Sequence, residues 1–512
     1  MQKLEQCSLE VGAGNGGRRE AQGTAPQNPR VAIPALVGVE TWERFSYYGM
    51  QAIMAYYLYD TATGGGLGLA TSTATALMGA YGSLVYLSTI AGGWIGDRVF
   101  GAERTLLAGA WVLVAGHLCL SLVPGAPGVA AGLVLVAVGS GALKTSALTM
   151  LGHVREPDDR RRDSDFQLFY LGINVGALAG PLLTGWLADR LGYHIGFGAA
   201  AVLMIAGLAH YYLHRRRLSD GWSRSIRPLV EQPTVAAPRR HIGVVAGCVA
   251  VLVAVLVAAA VSGVLALEHL ATVMLALTVA ATLGMFAQML ADRDLGRDER
   301  ARVLAFVPLF VVSVAFWAIL NQTFGALAVY ADVRVDRMIG DFEVPAAWAQ
   351  SLNPVFILLL SVPLAMLRTK LGAVGARGLR APAAPTQTVL GAAVAGLGAW
   401  TLLLHTSTPA GAVPIAALVL AYGVITLGEL HVGPVGMSTA TALAPAKYTT
   451  RFSALFFMTM AIGTALAGVM STSYDPASST SEHSYFLTMG ALAVGAAAVA
   501  AVFLPWINRV AR

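Results

Sequence analysis

The chain has 512 residues, of which 56% are hydrophobic and 12% charged, and its mean hydropathy is +0.65. That balance excludes an ordinary soluble enzyme and points to an all-α polytopic membrane protein. The formal net charge of +6 calls for no nucleic acid, because the basic residues are distributed as a topology signal and as contacts for anionic lipid.

Residues 1–30 are polar and Gly-rich, lack the apolar core of a signal peptide, and read as a disordered cytosolic tail. At roughly 20 residues per crossing, the apolar runs that follow predict about fourteen spanning helices. They fall at 32–58, 70–96, 104–123, 128–152, 166–188, 193–213, 241–263, 269–291, 302–330, 346–367, 386–405, 411–436, 449–471 and 483–507. The first six form an N-terminal bundle over 31–214. A basic linker, 215–240, punctuated by Pro228, Pro233 and Pro238, separates it from two strongly apolar helices at 241–291. Those two carry nothing that builds a polar site and read as peripheral and lipid-facing. A second six-helix bundle at 292–508 and a short cytosolic tail, 509–512, complete the chain. Six plus six with two extra helices is the major facilitator arrangement, in which two halves rock about a midplane site. Pro181, Pro308, Pro363 and the Gly433-Pro434 pair are candidate bending points within spans.

Of the 34 Lys and Arg, Arg190, Arg334 and Arg337 fall on one side and Arg44 and Lys144 within spans; all the others lie on the opposite side. The positive-inside rule makes that basic side cytoplasmic and predicts cytoplasmic termini in a plasma (inner) membrane. Cys7, Cys119 and Cys248 are scattered and form neither a disulfide framework nor a metal site. With no Ser/His/Asp order at plausible depth and no HExxH, the chain reads as neither an enzyme nor a metalloprotein.

The first span interrupts its apolar run with Glu40-Thr41-Trp42-Glu43-Arg44-Phe45-Ser46-Tyr47-Tyr48-Gly49-Met50-Gln51. Glu40, Glu43, Arg44, Tyr47, Tyr48 and Gln51 share one helical face, and intramembrane ionisable groups are costly enough to mark function. Arg44 cannot be neutralised by losing its proton, so it needs a partner in every state. Lys144, Asn174 and Glu429 are further polar residues deep within spans. If they converge, the N-terminal half presents cations and the C-terminal half a carboxylate, a match for a zwitterion with separated termini. Glu40, Glu43 and Glu429 also qualify as proton carriers, because burial and a neighbouring cation act in opposite senses on a carboxyl. Tyr47, Tyr48 and Tyr86 offer phenolic donors, and Trp317, Phe456 and Phe457 offer apolar walls.

Glu40-x-x-Glu43-Arg44 resembles the hallmark of the proton-dependent oligopeptide transporter family. Three further segments agree: Gly92-Gly93-Trp94-Ile95-Gly96-Asp97-Arg98, Phe166-Gln167-Leu168-Phe169-Tyr170-Leu171-Gly172-Ile173-Asn174, and Glu429-Leu430 with Gly433-Pro434. Trp317, Gln322 and Ser351-Leu352-Asn353-Pro354 extend the match, and the extra helix pair is similar to that of bacterial members. The resemblance implies proton-driven symport of di- and tripeptides by alternating access, without a cofactor, in a lipid-embedded monomer. It implies that Arg44 and Lys144 bind the peptide carboxylate and that Asn174, Asn353 and Glu429 bind its amino terminus. Tyr48, Tyr86, Trp317 and Phe456 would line the pocket, and Glu40, Glu43, Arg44, Lys144 and Glu429 would couple the proton. The alternatives are an uncoupled facilitator or exporter of a peptide-like natural product, and a membrane peptide sensor without turnover.

The departures bear on the gate and the pocket. Many members carry an arginine where this chain has Gln51 and an acid where it has Asn321, so both charges of an ion pair are absent together and a neutral Gln51–Asn321 contact is expected. Thr145-Ser146 follows Lys144 in place of the frequent Pro-Asn. Phe456 replaces a common Trp and Gly433 a common Ser, which reshapes the pocket toward bulkier or peptide-like substrates.

Overall fold

The computed structural model describes residues 29–154, 162–221, 227–233, 236–262, 266–374 and 382–511, so residues 1–28 of the expected tail lie outside the described residues, as does part of the linker. Six helices make the first bundle: α1 (Pro29–Tyr59), α2 (Thr71–Ile95), α3 (Ala102–Leu122), α4 (Gly125–Gly152), α5 (Arg162–Leu191) and α6 (Tyr193–Gly221). A short α7 (Arg227–Glu231) leads to the accessory pair α8 (Arg239–Val261) and α9 (Leu270–Ala291). The second bundle comprises α10 (Arg297–Leu320), α11 (Ala326–Val333), α12 (Leu352–Val374), α13 (Ala384–Trp400), α14 (Ile415–Leu443), α15 (Thr449–Ser471) and α16 (Ser479–Val510). Among the described residues, twelve helices are long and apolar enough to cross a membrane. α1 is not among them because its polar stripe, not its 31-residue length, departs from an ordinary spanning composition. The chain is a multi-pass membrane protein with a major facilitator fold.

Within each half the packing follows small residues. α5 lays Gly172, Gly176 and Gly180, spaced four apart, against α1, where a Cβ at each would fall 2.5 Å from Thr41 Oγ1, Thr41 O and Phe45 O respectively. Only glycine permits this approach, the close-packing device expected where burial against lipid gives no drive. Ser46 of α1 donates to Ala200 O of α6 at 2.7 Å and accepts from His117 of α3 at 2.7 Å, tying three helices together.

The span expected at 302–330 is not continuous. α10 ends at Leu320, a 3₁₀ turn covers Asn321–Phe324, and Gly325, with φ −120° and ψ −116°, separates it from α11. The break arises because Gln322 turns into the bundle, donating to Ala467 O at 3.3 Å and accepting from Ser471 Oγ at 2.7 Å on α15. The linker also does more than connect. Val230 of α7 is fully buried against the N-terminal bundle, and Ala237 N donates to Arg98 O at 2.9 Å. Of the accessory pair, α9 packs on α2 and α15, one from each half, while most described side chains of α8 are exposed. Lys447 binds Asp292 at 2.7 Å and Asp294 at 2.9 Å, and Tyr448 donates to Asp292, fastening the end of α9 to the start of α15. These hydrogen bonds hold the Asp292 carboxyl down at about 2, so this fastening stays charged at neutral pH.

The halves also meet on the side opposite the basic loops, where two short strand pairs sit: β1 (Val335–Asp336) with β4 (Val413–Pro414), and β2 (Met338–Ile339) with β3 (Phe342–Glu343). Tyr59 OH donates to Asp332 Oδ2 at 2.7 Å, Tyr56 OH to Ala328 O at 3.3 Å, Gln350 to Ala52 O at 3.2 Å and Trp348 to Leu182 O at 3.0 Å. Arg337 backs Asp332 at 3.4 Å and is itself held by Glu343 at 2.9 Å. This set seals one end of the space between the bundles. Asp332→Asn, which removes the charge facing Tyr59 and Arg337, should speed modification of a Phe324→Cys reporter by an impermeant thiol reagent applied from that side, in a background without native cysteines. An unchanged rate would assign the seal to the neutral contacts alone.

Candidate functional site

Below the seal lies a cavity of about 1140 Å³ between the halves. It exceeds the roughly 300–1,000 Å³ usual for small-ligand pockets. It extends from Gln350 and Pro181, near the seal, to Phe166 on α5 and Met366 on α12, toward the basic side. Arg44, Tyr48, Tyr86, Lys144, Asn174, Trp317, Asn353 and Glu429 all line it.

The N-terminal wall is built around Arg44. Its guanidinium pairs with Glu43, lies 3.3 Å from Glu40, and donates to Ser140 Oγ of α4 at 3.3 Å; Ser140 in turn donates to Glu43 Oε1 at 2.7 Å. The rings of Tyr47 and Tyr48 face the guanidinium at 5.1 and 5.8 Å, a cation–π arrangement. Lys144 stands one turn past Ser140 on the same face of α4, its Nζ 6.0 Å from the Tyr86 ring. Among the described residues no carboxylate lies within ion-pairing distance of that ammonium. Glu40 and Glu43 have no exposed surface and sit behind Arg44 rather than on the cavity wall.

The C-terminal wall carries one carboxylate. Asn353 of α12 donates to Glu429 Oε2 at 2.6 Å and to Thr426 Oγ1 at 3.0 Å, which fixes the carboxylate without a cation. Asn174 lies on the other wall, its amide donating to Tyr170 O at 2.8 Å on its own helix. The cavity therefore has two cations on one half and one carboxylate on the other, as the zwitterion argument requires.

Three placements differ from expectation. Phe456 does not line the cavity; its ring packs on the bare backbone of Gly436, where a Cβ would fall 2.8 Å from the ring, and stands edge-on to Phe457. Gln51 and Asn321 border the same small gap, of about 10 Å³, but their amides do not meet. Asn321 donates instead to Trp317 O at 2.8 Å, and Gln51 Oε1 is buried with no hydrogen-bond partner. The expected neutral contact is therefore proximity alone. Sequence reasoning also passed over Gln350 and Tyr170 as cavity residues. Tyr170 was legible as the residue one turn before Asn174 on the same face, whereas Gln350 precedes the helical register and gave no such signal.

Two helical bundles around a charged central cavity have the form of a membrane transporter. A model described as the POT family matches residues 103–487, and the chain belongs to that family. It is 37% identical over 476 residues to an uncharacterized transporter, YclF, of Bacillus subtilis (strain 168), covering 93% of each chain. It is 34% identical over 433 residues to a di-/tripeptide transporter of Lactococcus lactis subsp. cremoris, covering 83% of this chain and 85% of that one. A solved structure of a mutant peptide transporter POT in complex with alafosfalin matches with a TM-score of 0.85 at 35% identity, covering 93% of this chain and 95% of that one.

Because Ser140 is both acceptor for Arg44 and donor to Glu43, Ser140→Ala should destabilise the protein by about 1–3 kcal/mol, the usual cost of stranding a buried polar partner. Denaturation in detergent measures this; unchanged stability would show that Glu43 and Arg44 satisfy each other without it.

Proposed function

We propose that the chain is a proton-coupled symporter that imports di- and tripeptides or peptide-like compounds by alternating access. The observation that carries this reading is the division of charge across one cavity, with Arg44 and Lys144 on the N-terminal wall and the Asn353–Glu429 pair on the C-terminal wall. In this reading the first pair takes the peptide carboxylate and the second, with Asn174, its ammonium. Tyr48, Tyr86 and Trp317 flank the peptide. Glu40 and Glu43, with Arg44, Lys144 and Glu429, exchange the proton. The reading draws support from the relatives, one a di-/tripeptide transporter and another a peptide transporter binding alafosfalin.

The positive-inside rule places the basic side in the cytoplasm, with both termini, so the cavity extends toward the cytoplasm and the seal faces outward. The protein works as a monomer in the inner membrane, driven by the proton gradient without a cofactor. Each proton crossing about 100 mV supplies about 2.3 kcal/mol, enough for about fifty-fold accumulation of a neutral substrate. An uncoupled facilitator is the second reading, and the neutral Gln51 and Asn321 favour it by removing one candidate protonation site.

Radiolabelled dialanine uptake into proteoliposomes separates the two. Gradient-dependent accumulation abolished by a protonophore supports symport; equilibration indifferent to the gradient supports the facilitator. Lys144→Ala should abolish accumulation while retaining exchange of labelled for unlabelled peptide across the membrane. Wild-type accumulation in that variant removes Lys144 from the coupling.

A further inference from the structure

Four glycines lie on α14, and three of them are spent on packing. A Cβ at Gly423 would press on Phe356, at Gly428 on Gly391 O at 2.4 Å, and at Gly436 on Phe456 at 2.8 Å. Gly433 differs. It lines the cavity, and a Cβ built there has no heavy atom within 4 Å. Helix packing therefore does not account for its missing side chain.

Its position relative to the charged walls is set by the helix. Gly433 follows Glu429 by one turn on the same face. Because Asn353 is bonded to Glu429, and α12 and α14 both run from the sealed side toward the basic side, Ile357 lies at the level of Gly433. On the other half, Tyr170 lies one turn on the basic side of Asn174. Ile357 and Leu358 of α12 and Tyr170 and Leu171 of α5 also line the cavity and give it aliphatic and aromatic surface beside its charged groups.

We propose that Gly433 is the floor of a side-chain subsite that admits a large apolar group, the side chain of the first residue of a peptide. This rests on the reading that Glu429 and Asn353 hold the peptide's ammonium. The side chain nearest that ammonium then has one turn of open helix to occupy, and a flat ring can lie on the bare Gly433 backbone. Gly433 selects for size, and Ile357 at the same level offers the group apolar surface.

The alternative explanation is mechanical, since Gly433 precedes Pro434, and a glycine there also eases a helix kink. Gly433→Ala and Gly433→Leu distinguish the two, with thermal stability confirming that each variant folds. Phe-Ala, Ala-Phe and Ala-Ala are compared as competitors of dialanine uptake and as stabilising ligands of the purified full chain. Filling an apolar pocket by one or more methylenes alters discrimination by about tenfold or more. The expected result is that Gly433→Leu weakens Phe-Ala by about tenfold or more relative to Ala-Ala, Gly433→Ala falls between, and Ala-Phe follows Ala-Ala. Equal loss for all three peptides would make Gly433 a hinge and overturn the subsite, as would undiminished Phe-Ala binding in Gly433→Leu. If the wild-type chain neither binds nor moves any of the three, the peptide reading falls and the subsite with it; wild-type binding that the variants leave unselective removes the subsite alone.

Discussion

A guanidinium that can never lose its charge sits in the middle of α1 with almost no exposed surface, and much of the N-terminal half is arranged around that fact. Arg44 needs two things at once: anionic partners, and neighbours close enough to exclude water and lipid. Glu40 and Glu43 provide the first from the same helix. The α5 glycines provide the second by letting backbone meet backbone beside residues 41–49. Ser140 then links α1 to α4, one turn before Lys144. Glu40, Glu43, Arg44 and Lys144 together have no formal net charge when all are ionised. Buried networks of this sort are sensitive to any change in one member, since an unpaired charge in a low dielectric is expensive. Oε1 of Glu40 and Nε of Arg44 are ion-paired without a well-directed hydrogen bond, and Oε2 of Glu40 is buried with no hydrogen-bond partner, so the network is not fully satisfied. On the proposed reading, a proton or a substrate carboxylate entering here has a ready effect on the rest.

The division of the molecule into halves gives that effect a mechanical outlet. The basic side is where the cavity reaches Phe166 and Met366, and the opposite side is closed by Tyr59, Asp332, Gln350 and Trp348. In this chain the closure does not use the Gln51 and Asn321 positions as a bonded pair. Its charged element, Asp332 with Arg337 and Glu343, lies beyond the break after α10, on α11 and the strand segments that follow. The loss of charge at 51 and 321 is thus accompanied by a seal made nearer the ends of the helices. The accessory helix α9 touches α2 and α15, so it lies along the seam between the two halves. The Lys447–Asp292 fastening assigns the end of α9 to the C-terminal half.

Much of this was legible in the sequence because membrane helices obey a simple length rule and because a polar stripe in an apolar helix has few explanations. The α1 face could be read from spacing alone, and Lys144 and Glu429 stood out as isolated charges. What was not legible depends on orientation and on backbone path. Continuous hydrophobicity from 302 to 330 says nothing about the break at Asn321–Gly325, which follows from Gln322 finding partners on α15. An aromatic in a spanning helix can face any neighbour, and Phe456 faces the flat surface that Gly436 leaves. The linker looked like a tether because its Arg and Pro content hides one well-placed apolar residue, Val230. The α5 ladder was in plain view at four-residue spacing, but its meaning comes only with α1 alongside.

On the proposed alternating-access reading, the two walls of the cavity belong to bodies that move relative to one another, and this makes the charge pattern more than a recognition device. Arg44 and Lys144 belong to one bundle, while Glu429 and Asn353 belong to the other. A ligand can favour one arrangement of the bundles over another only through contacts that differ between them. A ligand touching one wall moves with that wall and has no such preference. A zwitterion that spans both is different, because its two bonds are satisfied together only when the walls are at the spacing that fits it. Peptide backbone length varies little among dipeptides, so the spacing is set by the termini, and side chains are left to fill the space around Gly433, Ile357 and Tyr170. On that reading, binding energy from the termini works on the conformational equilibrium, and side-chain fit determines which peptides reach it.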